Sequence, residues 1–331
     1  MEKITVVIPN YNGMKYLEEC FRALDAQQGT PSYRVLVVDN GSTDGSAEYI
    51  REYVATHSGE NFRYELIALP ENTGFCHAVN VGIGASEAPY VVLLNNDTKA
   101  APDFLRALYD RMEECPEAFS ASASMRMWDA PELLDGAGDN YCALGWAYAR
   151  GKGRPAVKYE RPCEIFSSCG GAVIYRREIL EQIGLFDELH FAYLEDLDLG
   201  YRARIHGYKN VYAPEARVIH YGSASTGSRY NEWKTDKASA NSVYVVWKNM
   251  PLLQWLWNLP LLLLGFLVKF IFFIGKGMGK IYIKGLLKGL KRCFSPEGRG
   301  HKVRFRLRHL SNYLRIQLLL YVNLFRFWAK K

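Results

Sequence analysis

Over the first 250 residues, short apolar runs that end in polar clusters alternate with stretches spaced for helices. Residues 4–8, 34–38, 64–69 and 90–94 are β-branched or continuously apolar and too short for helices, as strands buried on both faces are. Between them, residues 15–26 carry Leu17, Cys20, Phe21 and Leu24 at helical spacing, and residues 47–54 and the stretch through Ala78, Asn80 and Ile83 read as two more helices. This alternation predicts βαβ units and a mostly parallel sheet, an α/β fold. Pro9-Asn10-Tyr11-Asn12-Gly13 is expected to stop the first strand. Residues 102–115 read as a helix with Pro102 in its first turn. Residues 118–165 have no clear period; Met125, Trp128, Tyr141 and Trp146 lie among glycines and charges, in a substrate-facing loop region or in elements whose period is hidden. Beyond them, Leu194, Leu197, Tyr201 and Ile205 predict a helix, and residues 210–213 and 216–219 two short strands.

The chemistry sits where the apolar runs stop. Asn95, Asn96 and Asp97 follow the fourth run, and open α/β sheets bind ligands at the carboxyl ends of their strands. Asp97 suits a hard cation that carries phosphates, and the two asparagines suit sugar or ribose hydroxyls. Asp39, in Val-Val-Asp39-Asn-Gly-Ser-Thr-Asp, repeats this placement and can accept from a nucleobase or ribose; an Asx turn or helix cap is the alternative. In Glu71-Asn72-Thr73-Gly74-Phe75, Gly74 permits close backbone approach to a ligand, and a helix starting there favours phosphate. Glycine is too sparse there for a P-loop or a dinucleotide fingerprint. Gly170-Gly171 leads into a further strand. Glu195, Asp196 and Asp198 crowd a helix start, where the dipole alone would favour them. Adjacent Glu195 and Asp196 cannot share a face, so one can point into a cleft as a general base. His220 ends the last predicted strand and is either structural or a metal ligand.

Charge divides the chain. The formal net charge is +6, yet residues 1–250 hold 25 Lys and Arg against 34 Asp and Glu, and residues 269–331 hold 16 against Glu297 alone. Between them, residues 251–268 carry no charge, and the apolar stretch, interrupted by Asn258 and Pro260, is long enough for one kinked membrane span or a surface-lying helix. Lys276, Lys280, Lys284 and Lys288 then recur every four residues beside Leu287 and Leu290, and Arg304, Arg306, Arg308 and Arg315 interleave with Leu307, Leu310 and Leu314. Such faces fit anionic membrane lipid. Zinc spacings and helix-turn-helix patterns are missing, so no nucleic-acid partner is expected. Seven unpatterned cysteines and a first apolar run too short for a signal peptide point to a reducing compartment. The expected organisation is a catalytic domain over residues 1–250 and a membrane-associated helical region over 251–331, with the catalytic part on the cytoplasmic face of the inner membrane, peripheral, monotopic or single-span.

Pro9 with Asn12, Asp39 in its Asp-Asn-Gly-Ser context, Asn72-Thr-Gly74-Phe, Asn95-Asn96-Asp97, Gly170-Gly171-Ala, Glu195-Asp196 and His220 occur in an order that resembles family 2 glycosyltransferases, in particular their bacterial rhamnosyltransferase-like branch. The resemblance covers roughly residues 3–250. It implies a GT-A fold and an inverting, metal-dependent transfer from a nucleotide-sugar. Carried over by position, Asp39 holds the base, with Pro9, Asn12 and Asn72 near the nucleotide. Asp97 binds Mg²⁺ or Mn²⁺ as the last residue of a DxD-like motif, His220 is the late metal-site histidine, and Asp196 is the catalytic base. Asn95 departs from the first Asp of DxD, and Asp198-Leu-Gly-Tyr-Arg202-Ala-Arg204 replaces the Gln-x-x-Arg-Trp of processive synthases, so one sugar per encounter is expected. The donor is dTDP-rhamnose or a UDP-sugar, and a membrane-docked transferase suggests a lipid-linked glycan acceptor. Two other readings are a non-catalytic membrane-tethered scaffold and a nucleotidyltransferase. The presence of both Asp97 and Asp196 opposes the first, and the lack of a glycine-rich basic loop after the first strand opposes the second.

Overall fold

A computed structural model describes residues 2–222 and 230–328. β1 (Ile4–Asn10), α1 (Met14–Asp25), β2 (Tyr33–Asn40), α2 (Ser46–Thr56), β3 (Phe62–Leu69), α3 (Phe75–Gly84) and β4 (Tyr90–Leu94) alternate as the pattern predicts. β1 runs parallel to β2 and β4, and β2 parallel to β3. Their carboxyl ends therefore share one edge of the sheet. Pro9 does not stop β1, which continues to Asn10 in register with Asp39. β4 pairs with β1 only over Ile4–Val7, so the missing N–H of Pro9 interrupts no bond to β4.

The second half extends the same sheet. It contains β5 (Thr98–Ala100), α4 (Phe104–Glu114), β6 (Ala118–Met127), β7 (Leu134–Gly136), β8 (Asp139–Cys142), β9 (Trp146–Ala149), β10 (Cys163–Ile165), β11 (Ala172–Arg176), α5 (Arg177–Ile183), α6 (Glu195–Ile205) and β12 (Lys209–His220). The strand order is β10-β12-β6-β11-β4-β1-β2-β3, with β5 on β12 and β7 on β6. β11 lies antiparallel to both β4 and β6 and joins the halves. Pro102 precedes α4, which starts at Phe104 after Asp103, rather than occupying its first turn. The irregular stretch is mostly strand. In β6, Ser120, Ser122 and Ser124 alternate with Ala121, Ala123 and Met125, a period of two hidden because residues of both faces are small and buried. The two strands expected at 210–213 and 216–219 are one, with an irregularity between Ala213 and Arg217.

Alternate residues of β1 feed separate cores on the two sheet faces: Val6 and Ile8 join Leu17, Phe21 and Phe104, and Val7 joins Val79, Leu180 and Leu199. Residues 197–205 of α6 are buried on all sides. Its Arg202 therefore donates to the Ile183, Gly184 and Leu185 carbonyls, and Arg204 to those of Ile165 and Phe166. The chain closes with α7 (Glu232–Asn249), α8 (Leu252–Gly275), α9 (Gly279–Cys293), α10 (Pro296–His301) and α11 (Leu310–Trp328). Pro251 lies between α7 and α8, next to the expected boundary. Packing crosses it: Tyr141, Phe166 and Tyr201 share a core with Leu262, Tyr313, Ile316 and Leu320. α9 packs closely on α7 because Gly285 and Gly289 leave room; a Cβ on either would lie within 2.2 Å of Ser239 Oγ or the Ala240 carbonyl.

Candidate active site

At the carboxyl edge of the parallel strands, Asn10 is the centre of a polar net. Its side-chain nitrogen donates to Asp39 Oδ1 at 2.7 Å and to Ser42 Oγ at 3.2 Å, and its Oδ1 accepts from Asn96 Nδ2 at 2.6 Å. Ser42 donates to Asp39 through both hydroxyl and backbone. Asp39 is thus placed at the end of β2 but is 2% exposed and already accepts three bonds. Asn12 has a left-handed backbone (φ 51°), which asparagine tolerates, and its side-chain oxygen accepts from Thr43 N at 2.8 Å. Asn72 is exposed; its Oδ1 accepts from Asn40 and from Gly74 N. Gly74 lies just before α3 with φ 91°, and a Cβ there would fall 2.7 Å from the Phe191 ring. Pro9 is half-buried below this net.

Asp97 follows β4 and faces the end of β12. Its Oδ1 lies 3.4 Å from His220 Nε2, and His220 Nδ1 lies 2.8 Å from Asp135 Oδ2. Asp135 is itself ion-paired with Lys152. Burial pushes the His220 imidazole down, but the flanking Asp135 and Asp97 carboxylates outweigh it and lift it to about 9. The donor set fits a divalent cation. Two ligands at about 2.1 Å in neighbouring octahedral positions are roughly 3 Å apart, and a carboxylate on the far ring nitrogen is the usual support of a metal-binding histidine. Beside this pair, Tyr221 stacks on Trp128 with ring centroids 3.7 Å apart, and its backbone N–H donates to the Asp97 carbonyl.

Two backbone hydrogen bonds connect this end of the site to the Glu195-Asp196 pair. Asn95 N donates to the Gly171 carbonyl at 2.9 Å, and Gly170 N donates to Asp196 Oδ2 at 3.2 Å. A Cβ on Gly171 would lie 3.0 Å from Met125 and 3.3 Å from Asn95. Asp196 is half-buried, with Oδ1 accepting from Leu197 N, whereas Glu195 is buried and its Oε2 has no partner. Burial pushes both carboxyls up, and repulsion from Asp196 and Asp139 takes Glu195 further, to about 8. Asp139 at the start of β8 and Cys169 place ligand atoms within 4.8 Å of one another and of Asp196. The loop leading into α6 holds left-handed backbone at Phe191, Tyr193 and Leu194, three non-glycine residues in four. Asn241 of α7 pins it by donating to the His190, Ala192 and Tyr193 carbonyls, and accepts from Arg292 of α9.

The structure therefore gathers Pro9, Asn12, Asp39, Asn72 and Asn96 at one end, Asp97 and His220 in the middle, and Asn95, Gly170, Gly171, Glu195 and Asp196 along one connected path. Sequence reading missed Asn10, Asp135 and Asp139. Asn10 carried a signal, since it shares a strand end with Pro9. Asp135 and Asp139 carried none, since their partners lie 85 and 57 residues away and only the fold brings them together.

A half-parallel sheet extended by an antiparallel strand, with Asp39 and Asp97 at its ligand edge and a carboxylate pair opposite, is the GT-A arrangement of enzymes that act on nucleotide-sugars. Residues 5–184 match the family model described as glycosyl transferase family 2. An N-acetylglucosaminyl-diphospho-decaprenol L-rhamnosyltransferase of Mycobacterium tuberculosis is 31% identical over 248 residues, covering 68% of this chain and 78% of the relative. The chain belongs to glycosyltransferase family 2 and is a glycosyltransferase. Among solved structures, the mannosyltransferase PcManGT from Pyrobaculum calidifontis, in complex with GDP-Man and Mn²⁺, superposes with a TM-score of 0.56 at 17% identity over 87% of each chain. GalNAc-T7 with UDP, GalNAc and Mn²⁺ gives 0.59 at 16% identity; the match covers 74% of this chain and 48% of that one. These likenesses carry the fold.

Proposed function

We propose that the protein is an inverting, non-processive glycosyltransferase that moves one sugar from a nucleotide-diphospho-sugar to a hydroxyl of a lipid-linked glycan. The membrane-docked enzyme would work at the cytoplasmic face in cell-surface polysaccharide synthesis. The observation that carries this reading is the pair of backbone bonds that links the Asp97 end of β4, through Asn95 and Gly171-Gly170, to Asp196. A leaving diphosphate and an attacking hydroxyl need groups on opposite sides of one anomeric carbon, and this path holds both sides in register.

In this reading Asp97 and His220 hold Mg²⁺ or Mn²⁺, which supplies Lewis-acid charge to the leaving diphosphate when bound. Asn12, Asp39, Asn72 and the Asn10 net surround the nucleotide, and Asn95 and Asn96 lie towards the sugar. The acceptor hydroxyl lies against Asp196, flanked by Gly170 and Gly171. Its oxygen bonds to the anomeric carbon as the bond from that carbon to the diphosphate oxygen breaks, and its proton passes to Asp196. Burial raises the affinity of Asp196 for a proton, as suits a general base. One displacement inverts the configuration, and the transition state is oxocarbenium-like. Glu195 stays buried and protonated beside it. The mycobacterial relative, by its name an L-rhamnosyltransferase acting on N-acetylglucosaminyl-diphospho-decaprenol, supports rhamnose as the sugar and a polyprenyl-diphosphate-linked acceptor; dTDP-rhamnose and UDP-sugars fit the same frame.

The test is a donor panel. Full-length protein in detergent is offered dTDP-rhamnose, UDP- and GDP-sugars with Mg²⁺ or Mn²⁺, beside Asp97→Ala and Asp196→Asn. Slow hydrolysis of one donor is expected, with metal-dependent binding lost in Asp97→Ala, and binding kept but turnover lost in Asp196→Asn. Failure of every donor to bind with either metal overturns the proposal.

A further inference from the structure

Helix α8 is long and apolar enough to cross a bilayer, yet its packing argues for another placement. The residues that are not exposed recur along its whole length as one stripe, from Gln254 through Asn258, Leu262 and Gly265 to Phe273. Its middle meets the β8–β9 hairpin, and its ends meet α11 and α9. Gln254 and Asn258 bond Gln317 of α11. Leu262 lies against Gly145, and Gly265 is so close to the hairpin turn that a Cβ would fall 2.1 Å from the Leu144 carbonyl. Trp146 Nε1 donates to the Gly265 carbonyl at 3.1 Å, and Phe273 stacks on Tyr282 of α9. At 1.5 Å per residue, Gln254 to Phe273 covers about 29 Å, nearly the thickness of a bilayer's hydrocarbon core. A helix held along that distance by the β8–β9 hairpin, by α9, which packs on α7, and by α11, which shares the Tyr141–Tyr201 core, has no free length with which to span.

Among the described residues, the opposite face is apolar and largely exposed. Leu253 is 81% exposed, Trp257 70% and Ile271 59%. The neighbouring helices continue it: α9 exposes Ile283, Leu287 and Leu290 interleaved with Lys280, Lys284 and Lys291, and α11 exposes Leu314, Leu318 and Phe325. Apolar side chains set among lysines complement an anionic headgroup layer above acyl chains.

We infer that α8, α9 and α11 dock in the plane of an anionic bilayer, with α8 lying along the interface rather than crossing it, so that both termini stay on one side. This deepens the membrane part of the proposed function and rests on it. It also bears on the acceptor. The β8–β9 hairpin starts at Asp139, beside Asp196, and its far end touches α8 at Gly265. A strand of four residues spans about 13 Å. The base therefore sits one short hairpin and the width of α8, about 10 Å more, from the docking face, within reach of the first sugars of a lipid-linked acceptor.

Full-length protein carrying epitopes at both ends, expressed in bacterial cells, is exposed to protease in spheroplasts and in inverted membrane vesicles. In-plane docking predicts that both epitopes are protected in the first and cut in the second; epitopes on opposite sides overturn it. In parallel, purified protein is bound to vesicles of 30% phosphatidylglycerol in phosphatidylcholine. Lys280→Gln with Lys284→Gln is expected to weaken binding about 30-fold. Leu264→Glu with Ile271→Glu, both outward-facing, is expected to abolish it with the circular dichroism spectrum unchanged. Protein that ignores vesicles and instead covers this face with a second copy, seen as a dimer by light scattering, overturns the inference. Donor hydrolysis in detergent needs no bilayer, so its persistence in that case leaves the transferase reading intact.

Discussion

Glu195 and Asp196 are adjacent in sequence and meet different surroundings. One helical residue turns the chain by 100°, so Glu195 is buried while Asp196 stays partly exposed. Burial and the neighbouring Asp196 charge push the Glu195 carboxyl up to about 8, so glutamine there mimics its protonated form. Glu195→Gln is expected to keep most activity below pH 7 and to lack the inflection near pH 8 expected of the parent enzyme as Glu195 ionises against Asp196. A pH profile of kcat in both proteins checks this, while Asp196→Asn is expected to lose at least about 1000-fold. Asp135 has no contact with substrate in the proposed reading and acts through His220. Asp135→Asn is expected to weaken metal affinity by about 10- to 100-fold, measured by Mn²⁺ titration of donor binding, without loss of fold.

The loop before α6 and the helix that restrains it form one mechanical element. Left-handed backbone at Phe191, Tyr193 and Leu194 costs on the order of 1–3 kcal/mol per residue and persists only when the surroundings enforce it. Asn241 supplies that restraint through three carbonyls, and Arg292 fixes Asn241 in turn. The helix beyond Pro251 that carries Arg292 thus supports the loop that leads to Asp196, the proposed base. Asn241→Ala removes three donated bonds and the one accepted from Arg292 and is expected to lower kcat more than tenfold with donor KM unchanged. A change confined to thermal stability, with kcat intact, would show that Asn241 only packs. A second restraint is the buried Lys248, which donates to Asp187 and Asp198 and joins α7 to α6. Burial would raise the Asp187 carboxyl, but Lys248 outweighs it and brings it down to about 2. Because the folded value lies below the unfolded one, this stabilisation is complete above pH 4 and is lost as pH falls from 4 towards 2. It amounts to about 2 kcal/mol. Lys248→Met removes the lysine shared by two buried carboxylates, leaving Asp198 with Arg202 and Asn249 and Asp187 with His301 and Tyr244, and is expected to destabilise by about 2–3 kcal/mol at pH 7, with a smaller deficit at pH 3, read from denaturant midpoints.

Across the whole molecule, the charge division does not mark two independent bodies. Tyr141, Phe166 and Tyr201 are sealed by Leu262, Tyr313, Ile316 and Leu320. Removing residues 251–331 would bare these side chains, each worth about 2 kcal/mol of burial, a loss comparable to the entire stability of a domain. The truncated chain is expected to aggregate or to melt at least about 15 °C lower, rather than to yield a soluble active domain. Its solubility and melting curve decide this.

The chain itself determines the alternation of strand and helix, because period and apolar length are local properties, and it places Asp39, Asn95–Asp97, Glu195-Asp196 and His220 at element ends. It also marks the basic apolar segment, since charge and hydropathy need no coordinates. Strand β6 stayed hidden because alanine and serine carry little period, and Pro9 misled because a proline interrupts a strand only where a partner needs its N–H. Tertiary structure alone decided which carboxylate of the pair is buried, that Asp135 supports His220, that Phe191 lies against Gly74, and that α8 lies along the body. Each of these depends on what a distant segment puts against the residue, and packing between segments 50 to 120 residues apart leaves no local trace.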